Sequence, residues 1–409
     1  MKKSFILSCL ALSSVAMAGG FRVSLQGAKQ FAMAHTSAHT DDASVIFYNP
    51  AGMSFIPNKL SVAAGGFGIS SKTEFQDAKD YATYNTNSPV GTPVYAAIAY
   101  KPVDQLSLGF SFTTPYGSSV SWAGQWAGQE VVQDIKLQAM YFQPSVSIKL
   151  KPWLSIGSSF IYAKGKLDWT KSITNLNGTL RLHDDQVSGS GYTVGVYLKP
   201  TKQLDLSASY RSLVEMHADN GVATFNVPQG LTNTGRMPAS DKFTAVLPLV
   251  DEYIVGATYK LKPNWKVSAD VNFQRWEKYN TLTLDFETAK LAPGTADATK
   301  VISPKNWRNS NVYRVGTEYI FKNNIAARAG YYFDESPYSG LNYSPESPSF
   351  VAHVLTGGVG YKWHNFMLNA SGSYNFLRSR PVNNQYYNLE GNARGKAFIL
   401  GLGLSYNAF

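Results

Sequence analysis

From residue 59 onward, apolar and polar residues alternate one by one in segment after segment. Leu106, Leu108, Phe110 and Phe112 interleave with Ser107, Gly109, Ser111 and Thr113, and Val267, Ala269, Val271 and Phe273 interleave with Ser268, Asp270, Asn272 and Gln274. A period of two marks a strand whose faces meet different surroundings. It predicts fourteen strands, at 59–70, 92–101, 105–114, 134–150, 153–169, 186–199, 203–216, 251–262, 265–277, 307–321, 324–334, 353–363, 366–378 and 394–408.

The connections alternate as well. Short turns at Lys101-Pro102, Lys151-Pro152, Lys199-Pro200, Lys262-Pro263, Lys322-Asn323-Asn324 and His364-Asn365 take turns with seven longer loops rich in Gly, Pro, Asn, Asp and Ser. Short turns at one end, long loops at the other and an even number of antiparallel strands predict an all-β fold, a 14-stranded transmembrane β-barrel. Lipid offers no hydrogen-bond partner, so such a sheet must close, with apolar side chains outward and polar ones toward the lumen. Tyr100, Trp153, Trp265, Tyr361, Trp363 and Tyr406 lie beside the short turns and are expected in one aromatic girdle. Trp169, Trp276, Tyr279, Phe333 and Tyr338 are expected in the other.

Two places break phase. In 134–150 the apolar set runs Ile135, Leu137, Ala139, Tyr141 and then Val146, Ile148, Leu150, so a kink or bulge is expected at Gln143-Pro144, where proline removes a ladder donor. The terminal Phe409 has the opposite parity to Leu400, Leu402, Leu404 and Tyr406.

Composition supports a membrane sheet. Only 16% of residues are charged, against roughly 25% in average soluble proteins, while the 409 residues include 25 Tyr, 22 Phe and 8 Trp. The aromatic content excludes intrinsic disorder, the absence of an apolar run of about 18 residues excludes a helical span, and one Cys excludes a disulfide scaffold. Lys2-Lys3, the apolar stretch Phe5 to Val15 and Ala16-Met17-Ala18 read as a signal peptide over 1–18, with the mature chain beginning near Gly19. Cys9 lies within that stretch, and Leu7-Ser8-Cys9 is a poor lipobox. The formal charge is +10, and loss of the two lysines lowers it by two.

Residues 19–58 precede the first strand of the barrel at 59–409, show no alternation and carry Phe21, Val23, Leu25, Phe31, Val45, Ile46, Phe47 and Met53. Their apolar content calls for burial, and the lumen is the one sizeable place for it. A plug is therefore expected. Within it, Gly19-Gly20-Phe21-Arg22-Val23-Ser24, Gln26-Gly27-Ala28, Asp41-Asp42-Ala43-Ser44 and Phe47-Tyr48-Asn49-Pro50-Ala51-Gly52 resemble the hatch of the outer-membrane long-chain fatty acid transporter family (FadL-like). The similarity continues through Thr114-Pro115-Tyr116-Gly117, Trp126 and Pro144-Ser145-Val146, with Gln143 standing where the family commonly has Asn.

That resemblance implies a monomer in the outer membrane of a Gram-negative bacterium. It implies passive uptake of long-chain fatty acids or similar hydrophobic compounds through a lumenal apolar site, hatch rearrangement and sideways release at a kinked strand. A monoaromatic-hydrocarbon channel of the same family is the nearest alternative. A general porin is argued against by the plug, and a lipid hydrolase by the lack of a triad.

By strand phase Arg211, Arg314 and Arg328 point into the lumen, where a cation favours a carboxylate ligand. Each could instead pair with a lumenal acid such as Glu318 or Asp270. The hatch motif Asp41, Asp42, Ala43, Asn49, Pro50, Ala51 and Gly52 reads as turns and a wall anchor, and the Asn-Pro-Ala turn as a candidate moving element. His35 and His39 have i, i+4 spacing without a third ligand, so hatch packing is expected rather than zinc, and Ser188-Gly189-Ser190-Gly191 lacks a nucleophile elbow. The sequence calls for no cofactor, no metal, no enzymatic activity and no nucleic acid partner. Outer-membrane lipid and lipopolysaccharide are the expected surroundings, and the excess positive charge could contact lipopolysaccharide.

Overall fold

The computed structural model describes residues 19–173, 176–232, 237–291 and 297–409, so the expected signal peptide lies outside the described residues. Fourteen antiparallel strands form one closed sheet. They are β1 (Leu60–Asp77), β2 (Val94–Val103), β3 (Leu106–Ser121), β4 (Asp134–Lys151), β5 (Leu154–Ile173) and β6 (Gly178–Leu198). Next come β7 (Leu204–Arg211 continued by Val214–Asn226), β8 (Ser240–Leu249 and Glu252–Lys262), β9 (Trp265–Gln274 and Thr281–Phe286) and β10 (Lys300–Pro304 and Ser310–Ile320). The sheet ends with β11 (Ile325–Asp334), β12 (Ala352–Trp363), β13 (Phe366–Leu377 and Arg380–Asn384) and β14 (Leu389–Ala408). Each strand pairs with its sequence neighbours, and β14 closes on β1 from Leu60↔Ala408 to Asp77↔Gly391. All the strands expected from alternation are present, and several run well beyond the alternating stretch at the long-loop end.

The outward face is what lipid requires. Phe398, Leu400, Leu402 and Leu404 of β14 are exposed, while Ala397, Ile399 and Ser405 are buried. At the short-turn end Tyr100, Trp153, Trp265, Tyr361 and Trp363 are exposed and form the expected girdle. The second girdle differs from expectation: Trp169, Trp276, Tyr279 and Tyr338 are buried in the lumen. Trp169 and Tyr279 line an internal chamber, and exposed Tyr162, Tyr192, Tyr253, Tyr313, Tyr331 and Tyr374 supply the outward aromatics.

The expected kink at Gln143-Pro144 is also corrected. Phe110↔Pro144 and Ser111↔Gln143 pair in register, and the odd residues Ile135, Ala139, Tyr141, Gln143, Ser145 and Ser147 are all buried on one face. The strand keeps its phase, and the lumen it faces changes from apolar to polar. The register shift lies in the neighbouring strand, between Thr113 and Tyr116 of β3. Phe409 falls just beyond β14 with φ of 67°, exposed, its carbonyl accepting from the Lys59 amide at 2.8 Å.

Residues 19–56 are buried almost throughout and fill the lower lumen. Two short helices, α1 (Ala28–Ala32) and α2 (Val45–Tyr48), and a 3₁₀ helix (Pro50–Phe55) supply its regular structure. Helices of this length are marginal alone, so their stability comes from the wall around them.

Candidate functional site

The hatch is held by side chains that alternation places inward. Asn49 is fully buried, and its amide nitrogen donates to the Val196 carbonyl at 2.9 Å, the Ala208 carbonyl at 3.2 Å and the Ser207 hydroxyl at 2.9 Å. Its carbonyl oxygen accepts from the Ala51 amide at 3.0 Å and caps the 3₁₀ helix, with Pro50 at its first position. The Ala51 carbonyl accepts from Ser147 at 3.0 Å and Ser155 at 2.7 Å. A methyl group at Gly157 would collide with the Pro50–Ala51 backbone, so the wall must be bare where the turn approaches. Asp42 accepts from the Ser44 amide at 3.0 Å and acts as a turn residue; Asp41 meets Lys29 at 2.5 Å and Lys266 at 3.0 Å. Gly52 packs against Val45, and Ala43 donates to Ser61 at 2.9 Å.

The three lumenal arginines serve the same floor. Arg211 pairs with Glu252 and donates to the Phe47 carbonyl. Arg328 donates to Glu318 at 2.6 Å and to Asn369 at 2.8 Å. Arg314 sits opposite Asp270 in the β9–β10 register and donates to the His35 carbonyl at 3.3 Å. Arg211 and Arg328 are paired with acids within the protein, whereas Arg314 bonds a backbone carbonyl and its Nε has no partner among the described residues. His39 bonds Thr36 at 2.8 Å and His35 packs on Phe31, with ring centroids 5.0 Å apart. Among the described residues no group of His, Cys, Asp and Glu could hold a metal ion.

Above this floor the inward residues turn apolar. Ile135, Leu137 and Ala139 of β4, Leu167 and Trp169 of β5, Val187 of β6, Met216 and Ala218 of β7, Leu247 and Leu249 of β8 and Leu282 and Leu284 of β9 line an apolar chamber with a free volume of about 70 Å³. The hatch supplies the base: Phe21 packs on Tyr116, Trp276, Tyr279 and Trp307 with ring centroids 5.1 to 6.0 Å apart. The apolar residues that suggested a kink in β4 are this chamber's wall.

At the far end Glu346 and Ser347, from the segment between β11 and β12, close the chamber. Glu346 Oε1 lies 2.5 Å from Lys305 Nζ, which also reaches the Tyr387 hydroxyl at 3.1 Å. Burial alone favours a neutral amine, but Glu346, Tyr387 and Tyr279 hold the Lys305 ammonium well above the ordinary lysine range. Glu346 Oε2 is buried and has no partner among the described residues. Sequence phase missed this pair because Lys305 and Glu346 lie outside every alternating stretch.

One side of the chamber is thin. β2 begins only at Val94, so the upper part of β3 faces residues 89–93 rather than a paired strand. At its register shift β3 turns to the hatch: the Val23 amide donates to the Pro115 carbonyl at 2.7 Å and the Gly117 amide to the Phe21 carbonyl at 2.9 Å. A recess outside this point, lined by Val23, Ile69, Pro93, Thr114 and Gly117 among others, shares Tyr116, Ser118, Leu137 and Gln138 with the chamber. The segment 21–23 thus forms the chamber's base and part of the partition to this recess.

Residues 9–408 match the family described as outer membrane protein transport protein (OMPP1/FadL/TodX). The long-chain fatty acid transport protein of Salmonella typhi is 23% identical over 99% of this chain and 98% of its own. The crystal structure of a Pseudomonas aeruginosa FadL homologue superposes with a TM-score of 0.82 at 18% identity, covering 96% of this chain and 100% of that one. The Ralstonia pickettii toluene transporter TbuX gives 0.71 at 16% identity, covering 94% and 98%. At these identities the two structures establish the fold.

Proposed function

Because the chain belongs to the outer membrane transport protein family, whose members carry hydrophobic compounds across the outer membrane, we propose that it carries long-chain fatty acids, taken into the upper chamber, released by movement of residues 21–23 and discharged sideways at the β3 register shift. The observation that carries this reading is the chamber itself, apolar along its walls, ended by Glu346 with the buried Lys305 paired behind it, and separated from an outer recess by shared residues. An alkyl chain gains about 0.8 kcal/mol for each buried CH₂, and it finds that gain along β4 to β9. Its carboxylate would take the place of Glu346 on Lys305, a charge-assisted bond in a dry setting.

The route needs only local changes. Residues 21–23 are tied by two backbone bonds to Pro115 and Gly117 and by the buried Arg22–Glu252 ion pair at 2.6 Å, which their movement must also break, whereas the Asn49 turn is bonded to several strands at once. The amino-terminal part of the hatch is therefore the moving part, and the Asn-Pro-Ala turn its fixed end. Passage forms and breaks no covalent bond, so the protein is a conduit and not an enzyme, and it works as a monomer.

The charged end favours fatty acids over monoaromatic hydrocarbons, which have no group for Lys305. The test is uptake of labelled oleate and of toluene by cells carrying the protein or its Lys305→Met variant. Oleate uptake should fall at least fivefold with toluene entry unchanged. Loss of both, or of neither, defeats the assignment of the carboxylate to Lys305, and no oleate uptake by the unaltered protein defeats the fatty acid reading.

A further inference from the structure

The outward face where β1 meets β14 carries a second chemistry. On β14, Leu404, Leu402, Leu400 and Phe398 are exposed to lipid, and Tyr374 of β13 is paired with Phe398. At about 3.4 Å per residue and a tilt of about 40°, the rise from Tyr406 to Lys396 is about 25 Å, the height of the apolar band of such barrels. Lys396 thus stands at the outer edge of that band. Directly opposite it in the ladder is Lys72 of β1, and both side chains are exposed.

Two like charges directly opposite each other repel, their β-carbons only about 5 Å apart. The acid nearest in register, Glu74, is taken by Arg394, whose Nε donates to it at 2.7 Å. Neither Lys72 nor Lys396 has an acidic partner among the described residues, and Arg378, in the break between the two parts of β13, is exposed too. The pair therefore presents two charges without an acid of the protein beside them, at the depth of the outer-leaflet headgroups. Anionic lipid at a membrane surface attracts such side chains by about 1 kcal/mol each.

We propose that Lys72 and Lys396 form a docking site for a phosphate of an outer-leaflet glycolipid, its acyl chains lying against Phe398, Leu400 and Leu402. The occupant is a lipid because the cations continue an apolar strip of the same face, so one molecule can satisfy both. The site also lies beside the thin side of the barrel, since Ile69 on the inward face of β1 lines the outer recess.

The test uses the full chain purified in detergent, incubated with bis-phosphorylated lipid A and examined by native mass spectrometry. The Lys72→Gln/Lys396→Gln variant should retain at least fivefold less lipid A, whereas Lys136→Gln/Lys164→Gln, exposed cations of β4 and β5, should retain as much as the parent. The single Lys396→Glu change places opposite charges across the ladder. It should raise the temperature at which the barrel unfolds in detergent while lowering lipid A retention, a pair of effects that a purely structural lysine would not give. Unchanged retention in the first variant, equal loss in the β4–β5 variant, equal retention of dephosphorylated lipid A, or displacement by an equal concentration of inorganic phosphate would each overturn the proposal.

Discussion

The lower and upper halves of one lumen are built from the same strands and do opposite things. Below, β4, β5 and β7 turn Ser147, Ser155 and Ser207 inward, and these hold a folded segment by directed bonds. Above, β4 to β7 turn Ile135, Ala139, Trp169, Val187 and Met216 inward, and nothing from the hatch but Phe21 enters the space they enclose. Polar lining specifies a permanent occupant, because each hydroxyl needs a partner in one place. Apolar lining asks for area without direction, so it suits an occupant that must come and go.

The largest break in this contrast comes from making the upper half polar. Leu284→Glu buries a carboxylate without a partner, at a cost of several kcal/mol. Labelled oleate uptake should drop at least tenfold, with no added leak of small sugars in liposome swelling. Making the lower half too full comes next. Gly157→Leu forces the Pro50–Ala51 turn off the wall, and sugar leak should rise severalfold through the displaced hatch. A chamber indifferent to Leu284→Glu, or a hatch indifferent to Gly157→Leu, would erase the distinction.

How much of this the sequence carried follows from the same contrast. Period-two alternation depends on lipid outside and polarity inside, so it found all fourteen strands where both conditions hold. It misread β4, because Ile135 and Ala139 are apolar and inward, and it assigned Trp169, Trp276 and Tyr279 to a girdle for the same reason. Arg211, Arg314 and Arg328 were placed correctly as lumenal, but phase gives a direction and not a partner; all three lie in the hatch-filled half. Lys305 and Glu346 came from irregular segments that meet only through the closure of the sheet, forty-one residues apart. The wall's thin side was equally hidden, since it depends on where β2 begins relative to the upper part of β3.

A smaller effect is expected at Asn49. Replacement by Ala removes a group that joins two wall carbonyls, a wall hydroxyl and the hatch, though the carbonyls keep their ladder partners. A loss of about 1–3 kcal/mol is expected, read as a lower unfolding temperature of the detergent-solubilised barrel, with oleate uptake reduced about threefold. No change would show that the turn rests on packing rather than on its amide.

The smallest effect sharpens the contrast most. Ser147 and Ser155 both donate to the Ala51 carbonyl, whose two lone pairs accept them together. Ser155→Ala leaves Ser147 in place and should cost only about 0.5–1.5 kcal/mol; Ser147→Ala should cost somewhat more, because Ser147 also bonds the Ser54 hydroxyl at 2.6 Å. The double variant strands a buried carbonyl, so its loss should exceed the sum of the singles, as expected for residues sharing a partner. Denaturant unfolding of the four proteins measures that excess. Simple additivity would mean that water replaces the hydroxyls, and the lower lumen would then hold its hatch no more specifically than the upper holds its ligand.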